Sequence, residues 1–365
     1  MSFTYKIGPA DIRRIDQSDM TGYISRMGDH IREAVQLFNG VWGSGSGVLE
    51  SLYPKPQTPN PSQIILLGMG GSAIGGDFVR SYLAGNLKVP LYVNRSYDLP
   101  AFADARTLII ASSYSGNTEE TLSAFEQAVE KKLSVICVTT GGTLGERAKK
   151  LGLTTIPQRA GMQPRAAFAY SFVPLLLILE KFGLNSGEAQ NLEKSASFLD
   201  TLAEKYGTAH LDNNNPAYRI AADLIHRIPV IYSALDYEAT GLRWRGQIQE
   251  NAKHVAFSNA VSEMNHNELS GWAHPTDLIQ HFTVLFLRSG ADENPRIAKR
   301  FAAMKEILMG KQATVTEIVA EGSTRLERLL SLVSLADWTS LYMALFAGID
   351  PTTIPAIDLL KEKMK

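Results

Sequence analysis

Between residues 63 and 157, short apolar runs alternate with segments of helical period, and this alternation limits the fold more than any other feature. "QIILLGMGG" reads as a strand running into glycines and "SAIGGDFVRSYL" as a helix. "VPLYVNRS" and "TLIIASSYSG" are strands, "NTEETLSAFEQAVEKK" a helix, "LSVICVTT" a strand, "GTLGERAKKLG" a helix and "LTTIPQ" a short strand. Strands that are apolar throughout are buried on both faces, which a parallel sheet between two helical layers provides. "PRAAFAYSFVPLLLILEKFGL" is a long apolar helix that closes this unit near residue 185.

A polar stretch, "GLNSGEAQNLEKS", precedes a second cycle. "IPVIYSALDYEATGLRWRGQIQENAKHVAF" reads as strand, loop and long helix, and "TVLFLRSGADENPRIAKRFAAMKEIL" as strand, loop and helix. "QATVTEIVAEG" is a strand and "RLERLLSLVSLADWTSLYMALFAG" a closing helix. At 365 residues, two domains fit the usual domain size. The expected division is 1–185, 186–350 and a tail, 351–365. Residues 19–40 read as one amphipathic helix ending at Gly40, with "GSGSG" (43–47) and "YPKPQTPNPS" (53–62) as connectors. The halves share an apolar strand, Ser-Gly and a helix. Where the first has Asn117 and Thr118, the second has Ala291 and Asp292, whose carboxylate would repel an anion. If the halves arose by duplication, only the first keeps an anion site.

The balance of 36 basic and 37 acidic residues disfavours a general nucleic-acid binder. One cysteine, Cys137, lies in an apolar strand, so no disulfide can form within the chain, as a reducing cytoplasm would require. "MSFTYKIGPADIRRID" lacks the apolar core of a signal peptide, and no run reaches the ~18 uninterrupted apolar residues of a membrane span. A soluble, cytoplasmic protein without membrane or nucleic-acid partners is expected. The seven histidines form no HExxH pattern, so no metal is expected either.

Two loops follow strands and open helices. "GMGGSAIGG" (68–76) fits a dinucleotide turn through Gly68, Gly70 and Ala73, but the second strand ends in Asn94 and Arg95, where a ribose-binding acid belongs. NAD is disfavoured, NADP through Arg95 remains open, and so does a tight turn without a ligand. "ASSYSGNTEET" (111–121) is the better anion candidate. A helix N-terminus offers free N–H groups, Ser113, Ser115 and Thr118 add donors, and Gly116 allows close backbone approach. Helix capping by Asn117 or Thr118, with Glu119 and Glu120 in the first turn, is the alternative. Capping needs only one hydroxyl, so the cluster favours a phosphomonoester.

The strand–"GxGGS" and strand–"SxSGxT" loops resemble the sugar isomerase (SIS) domain, and two such domains resemble the phosphoglucose isomerase superfamily. "QPRAA" (163–167), "QENAKH" (249–254), "NHNEL" (265–269) and a lysine near the C-terminus narrow the resemblance to the bifunctional phosphoglucose/phosphomannose isomerases, from about residue 20 onward. This resemblance implies an α/β fold of two SIS-type domains, each a mainly parallel sheet flanked by helices. It implies a sugar-phosphate substrate, no cofactor, and interconversion of fructose 6-phosphate with glucose 6-phosphate and mannose 6-phosphate through a cis-enediol. By the same resemblance Ser113, Ser115 and Thr118 hold the phosphate, and Gly70, Gly71 and Ser72 line the sugar. Glu250 is the base and Arg165 lies over the reacting carbons. His266 opens the ring in the neighbouring subunit of a homodimer, and Lys361 is the C-terminal lysine, with Lys363 and Lys365 as alternatives.

The chemistry suits these residue types. A carboxylate can move a proton between C1 and C2, a fixed cation stabilises the enediolate, and a histidine can transfer protons during ring opening. From the residues alone, Arg243, Gln247, Glu250 and His254 share one helix face and read as a solvated stripe. Arg165 reads as a surface arginine, His266 as a satisfied loop histidine and Lys361 as an exposed tail lysine. Two other functions compete. A non-catalytic sugar-phosphate sensor would bring a helix-turn-helix and a basic region and could dispense with Glu250. An amidotransferase would need an N-terminal glutaminase cysteine. Thr352 and Thr353 are candidates for lining the space needed for epimerisation at C2.

Overall fold

The computed structural model describes residues 6–42 and 60–364. "GSGSG" and most of "YPKPQTPNPS" lie outside the described residues. The chain forms two compact units: Met27–Ser197, and the residues before Met27 together with those from Phe198 onward. Helices α1 (Pro9–Ile15) and α2 (Met20–Ser25), which fall in the first half of the sequence, thus belong to the second unit.

The single helix expected over 19–40 is two, because α3 (Met27–Trp42) starts after a break at Arg26. The buried residues Met20, Ile24, Met27, Ile31, Ala34 and Phe38 keep a spacing of three and four across that break. Periodicity therefore cannot locate it.

In the first unit β1 (Gln63–Leu67) leads into α4 (Gly70–Tyr82) and β2 (Leu91–Asn94). Next come β3 (Thr107–Ser113), α5 (Glu119–Glu130), β4 (Ser134–Thr139), α6 (Gly142–Leu151) and β5 (Thr155–Pro157). All pairs are parallel, in the order β2-β1-β3-β4-β5. Every residue of β3 and β4 is buried, as their unbroken apolar character predicts. Cys137 lies wholly inside β4, where burial pushes its thiol up to about 12 and removes it as a nucleophile. Helix α7 (Phe168–Lys181) is buried from Phe168 to Leu179 and packs on α3 and α4.

The polar stretch after residue 182 begins a 19-residue helix, α8 (Glu188–Tyr206). Its first residue, Glu188, is 3% exposed, and burial raises its carboxyl pKa to about 7. Tyr82, Asn191 and Asn185 hydrogen-bond it, and the Glu180 carboxylate opposes its ionisation. The folded state therefore holds a proton that the unfolded chain releases near 4.5. Its stabilising effect is full below that pH and is lost as pH rises towards 7. Glu188→Gln is expected to remove this pH dependence, matching the parent Tm near pH 4 and exceeding it at pH 8 in thermal melts across that range. A parallel fall of both proteins with pH would refute the assignment.

The second unit continues with α9 (Pro216–Leu224), β6 (Ile228–Ala234), α10 (Glu238–Ala252) and β7 (Phe257–Val261). Short helices α11 (Glu268–Gly271) and α12 (Thr276–Ile279) precede β8 (Phe282–Arg288), α13 (Pro295–Gly310) and β9 (Thr314–Val319). Its parallel order, β7-β6-β8-β9, repeats that of β2-β1-β3-β4. Helix α14 (Arg325–Ala347) is long and apolar enough for a membrane span, yet 94% of that span is buried, against α9 and α10. The chain closes with α15 (Pro355–Lys363), none of whose residues is buried.

Candidate active site

In the first sheet β1 has β2 on one side and β3 on the other, so the chain reverses its winding direction at the carboxyl ends of β1 and β3. Open parallel sheets bind ligands at such a point. The glycine turn leaves β1 there, and the hydroxyl loop leaves β3.

The two loops are tied together. The Tyr114 N–H donates to Ser72 Oγ at 3.2 Å, and Ser72 is 6% exposed. Gly71 packs so closely that an added Cβ would lie 2.8 Å from the Pro164 carbonyl oxygen. That contact sets Arg165 beside the Gly-Gly-Ser turn. Arg165 is 4% exposed, so the reading of a surface arginine is wrong. Gly116 has φ +70°, and a Cβ there would meet the Gly141 carbonyl oxygen at 1.8 Å. Only glycine fits. Asn117 fixes the other side, its Oδ1 accepting from the backbone and hydroxyl of Thr143, each at 3.0 Å.

Thr118 occupies the N-cap position of α5, but its hydroxyl makes no capping bond. It pairs instead with the Ser113 hydroxyl at 2.9 Å. Ser115 Oγ accepts from Asn117 N–H at 3.2 Å. Among the described residues, the N–H groups of Glu119 and Glu120 have no acceptor. A hydroxyl pair therefore stands beside an uncapped, electropositive helix end, an arrangement suited to a phosphate dianion. Arg95, left open to a nucleotide phosphate by the sequence, pairs with Asp77, which is 2% exposed on α4.

The corresponding loop of the second sheet holds an anion of its own. Asp292 accepts from the Tyr237 hydroxyl at 2.7 Å and from Arg328 Nε at 3.0 Å, with Arg325 at 3.5 Å. Burial opposes its charge, but Arg328, Tyr237 and Arg325 together outweigh this and hold the carboxyl below its usual range. The carboxylate thus does more than repel an external anion, because it also neutralises the nearby arginines.

Within the second unit, Glu250 is half-buried on the last turn of α10. Of the four polar residues expected on one solvated face, Arg243 and Gln247 form a buried seam, Glu250 is half-buried, and His254 lies beyond the end of α10. Arg243 donates to Asp337 of α14 at 2.7 Å and Gln247 to the same carboxylate at 2.8 Å, both donors being under 5% exposed. Asn251 reaches Ser340 at 2.9 Å, and Lys253 Nζ reaches the Asp350 carbonyl at 2.6 Å. The helix carrying Glu250 is therefore fixed on both sides of that residue. His266 is exposed, ending a 3-10 turn after β7, and Lys361 is exposed on α15. No group of three or more His, Cys, Asp or Glu suited to a metal ion occurs among the described residues.

The fold and the two strand-end loops define a tandem SIS-domain protein of the phosphosugar-handling class. Residues 60–182 match the SIS domain, and residues 213–364 match the bacterial phospho-glucose isomerase C-terminal SIS domain. The chain belongs to the bifunctional phosphoglucose/phosphomannose isomerase family. It is 41% identical to the enzyme of that name from Caldicellulosiruptor bescii, over 83% of this chain and 89% of that one. The Aquifex aeolicus enzyme is 34% identical over 83% and 90%. In fold it is similar to a hypothetical protein from Thermus thermophilus, with TM-score 0.70, 14% identity, and coverage of 97% of this chain and 93% of the other.

Proposed function

We propose that this chain interconverts fructose 6-phosphate with glucose 6-phosphate and with mannose 6-phosphate. The observation that carries the reading is the Ser113–Thr118 hydroxyl pair beside the uncapped start of α5, in a chain of this family. The substrate phosphate takes the α5 amides and the hydroxyls of Ser113, Ser115 and Thr118. Gly70, Gly71 and Ser72 line the sugar. Glu250 removes the proton from C2 of the aldose and returns it to C1 through a cis-enediol, while Arg165 holds the oxygen that becomes negative. Rotation of the intermediate about C2–C3 exposes its other face, which gives the C2 epimer.

His266 opens the ring from the neighbouring subunit of a homodimer, and the residues after 350 act as a tail that completes the site. Support for the tail comes from α15. Ile357 and Leu360 are exposed at i and i+3 with Lys361 beside them at i+4, Met364 is exposed at the C-cap, and Leu359 is exposed on the other side, nearer Lys363. A surface that covers Ile357 and Leu360 brings Lys361 with it. The activity needs no metal ion, and the setting is cytoplasmic.

The test supplies fructose 6-phosphate and reads glucose 6-phosphate through an NADP-linked dehydrogenase in the presence of EDTA, with mannose 6-phosphate assayed separately. Turnover that survives EDTA is expected. The Ser113→Ala/Thr118→Val double variant is expected to raise KM at least about tenfold with a smaller change in kcat, each lost bond to a charged group being worth about 1.5–3 kcal/mol. Absence of turnover with both sugars would leave the sensor reading in its place.

A further inference from the structure

The second unit contains a cavity of about 440 Å³ that none of the proposed isomerase residues lines. It lies at the amino ends of three neighbouring strands, lined by Val230 and Phe282 within and by Phe257 at the mouth. His266 follows the carboxyl end of β7, the end opposite Phe257. Arg245 and Glu250 are five positions apart on α10, so their side chains leave that helix roughly 140° apart.

The walls come from Trp272, Ile279 and Leu278, with Phe257 and Leu278 about half exposed at the mouth. The charged and titratable groups facing the cavity are Arg245, Glu268 and His274. Glu268 is already engaged. One oxygen accepts from the Tyr232 hydroxyl and the other from Asn259 Nδ2 at 2.6 Å, while Trp272 Nε1 donates to that same hydroxyl at 3.0 Å. Arg245 has no acidic partner among the described residues, although it is partly buried against an apolar wall. His274 stands at the exposed rim. The buried Ser258 hydroxyl also has no partner among the described residues.

The geometry points to a binding site for a small amphipathic anion, a flat apolar body carrying one carboxylate, separate from the sugar-phosphate site. The volume is in the range of small-molecule pockets, roughly 300–1,000 Å³, and such pockets pair apolar walls with a few placed polar groups. A polyhydroxylated sugar would bury hydroxyls against Phe257, Trp272 and Phe282 without partners, whereas an aromatic carboxylate removes those walls from water and pairs with Arg245. The occupant would lie against α11, which begins two residues after His266.

The test titrates 2-naphthoate into the full-length protein by calorimetry, with 2-naphthalenemethanol as the uncharged control. One site per chain is expected, with Kd on the order of 0.1–1 mM, from the modest energy per atom that such ligands reach. Arg245→Gln should weaken naphthoate about tenfold or more, Arg245→Lys should lose less, and the alcohol should bind the parent as weakly as naphthoate binds Arg245→Gln. Saturating fructose 6-phosphate should leave the stoichiometry unchanged. Equal affinity in Arg245→Gln, displacement by fructose 6-phosphate, or no heat up to about 5 mM would each overturn the proposal. So would a fall in light-scattering mass on adding naphthoate, which would mark the cavity as a contact between copies of the chain.

Discussion

Glu250→Gln is expected to lower kcat for both sugar phosphates by about 10²–10⁴-fold while leaving substrate binding within a few-fold, because general-base catalysis typically contributes that much. The amide keeps the size and hydrogen-bonding reach of the carboxylate but cannot accept the C2 proton. The buried seam to α14 on either side of residue 250 keeps the helix in place, so the variant isolates chemistry from position. Two measurements separate the proposed roles. Exchange of the C2 proton with solvent deuterium should stop in Glu250→Gln. In His266→Ala, exchange on a substrate that cannot form a ring should continue, while turnover of the cyclic hexose falls. Near-parent kcat in Glu250→Gln would show that another group moves the proton.

The first sheet was legible because its doubly buried strands confine polar residues to their ends, and glycines follow those ends. β1, β3 and β4 have this form. β7 does not, since Phe257 is half exposed and Ser258 and Asn259 are polar, as befits an edge strand. The sequence places Phe257 at the end of the preceding helix segment and gives 258–261 no element. The polar helix α8 likewise gives little sign of the buried Glu188 at its start. In the site, the glycine turn and hydroxyl loop were visible because their constraints are local: a left-handed glycine, a helix N-terminus and clustered hydroxyls. Arg165 and the α10 stripe were not, because their burial depends on distant partners. Gln247 meets Asp337 across 90 residues, and no spacing rule reaches that far. For the same reason the sequence could suggest that Asp292 excludes an anion but could not show the arginines it neutralises.

Asp337→Ala is expected to destabilise the protein by about 3–5 kcal/mol, the cost of breaking a buried ion pair from one side. Arg243 and Asp337 have side chains only 3% and 2% exposed. Removing the carboxylate would leave a guanidinium and the Gln247 amide in the core without their shared acceptor. The paired replacement Arg243→Met/Asp337→Leu should recover much of that loss, since the desolvation of both charges disappears with them. Urea denaturation should show a lower midpoint for the single variant with the slope unchanged, and a partial return for the double. Activity should respond as well, because Glu250 is one turn beyond Gln247 on α10, and a helix freed from α14 holds its base less firmly. A loss below about 1 kcal/mol, closer to that of an exposed pair, would show that apolar packing of α10 on α14, rather than the Asp337 seam, holds the helix.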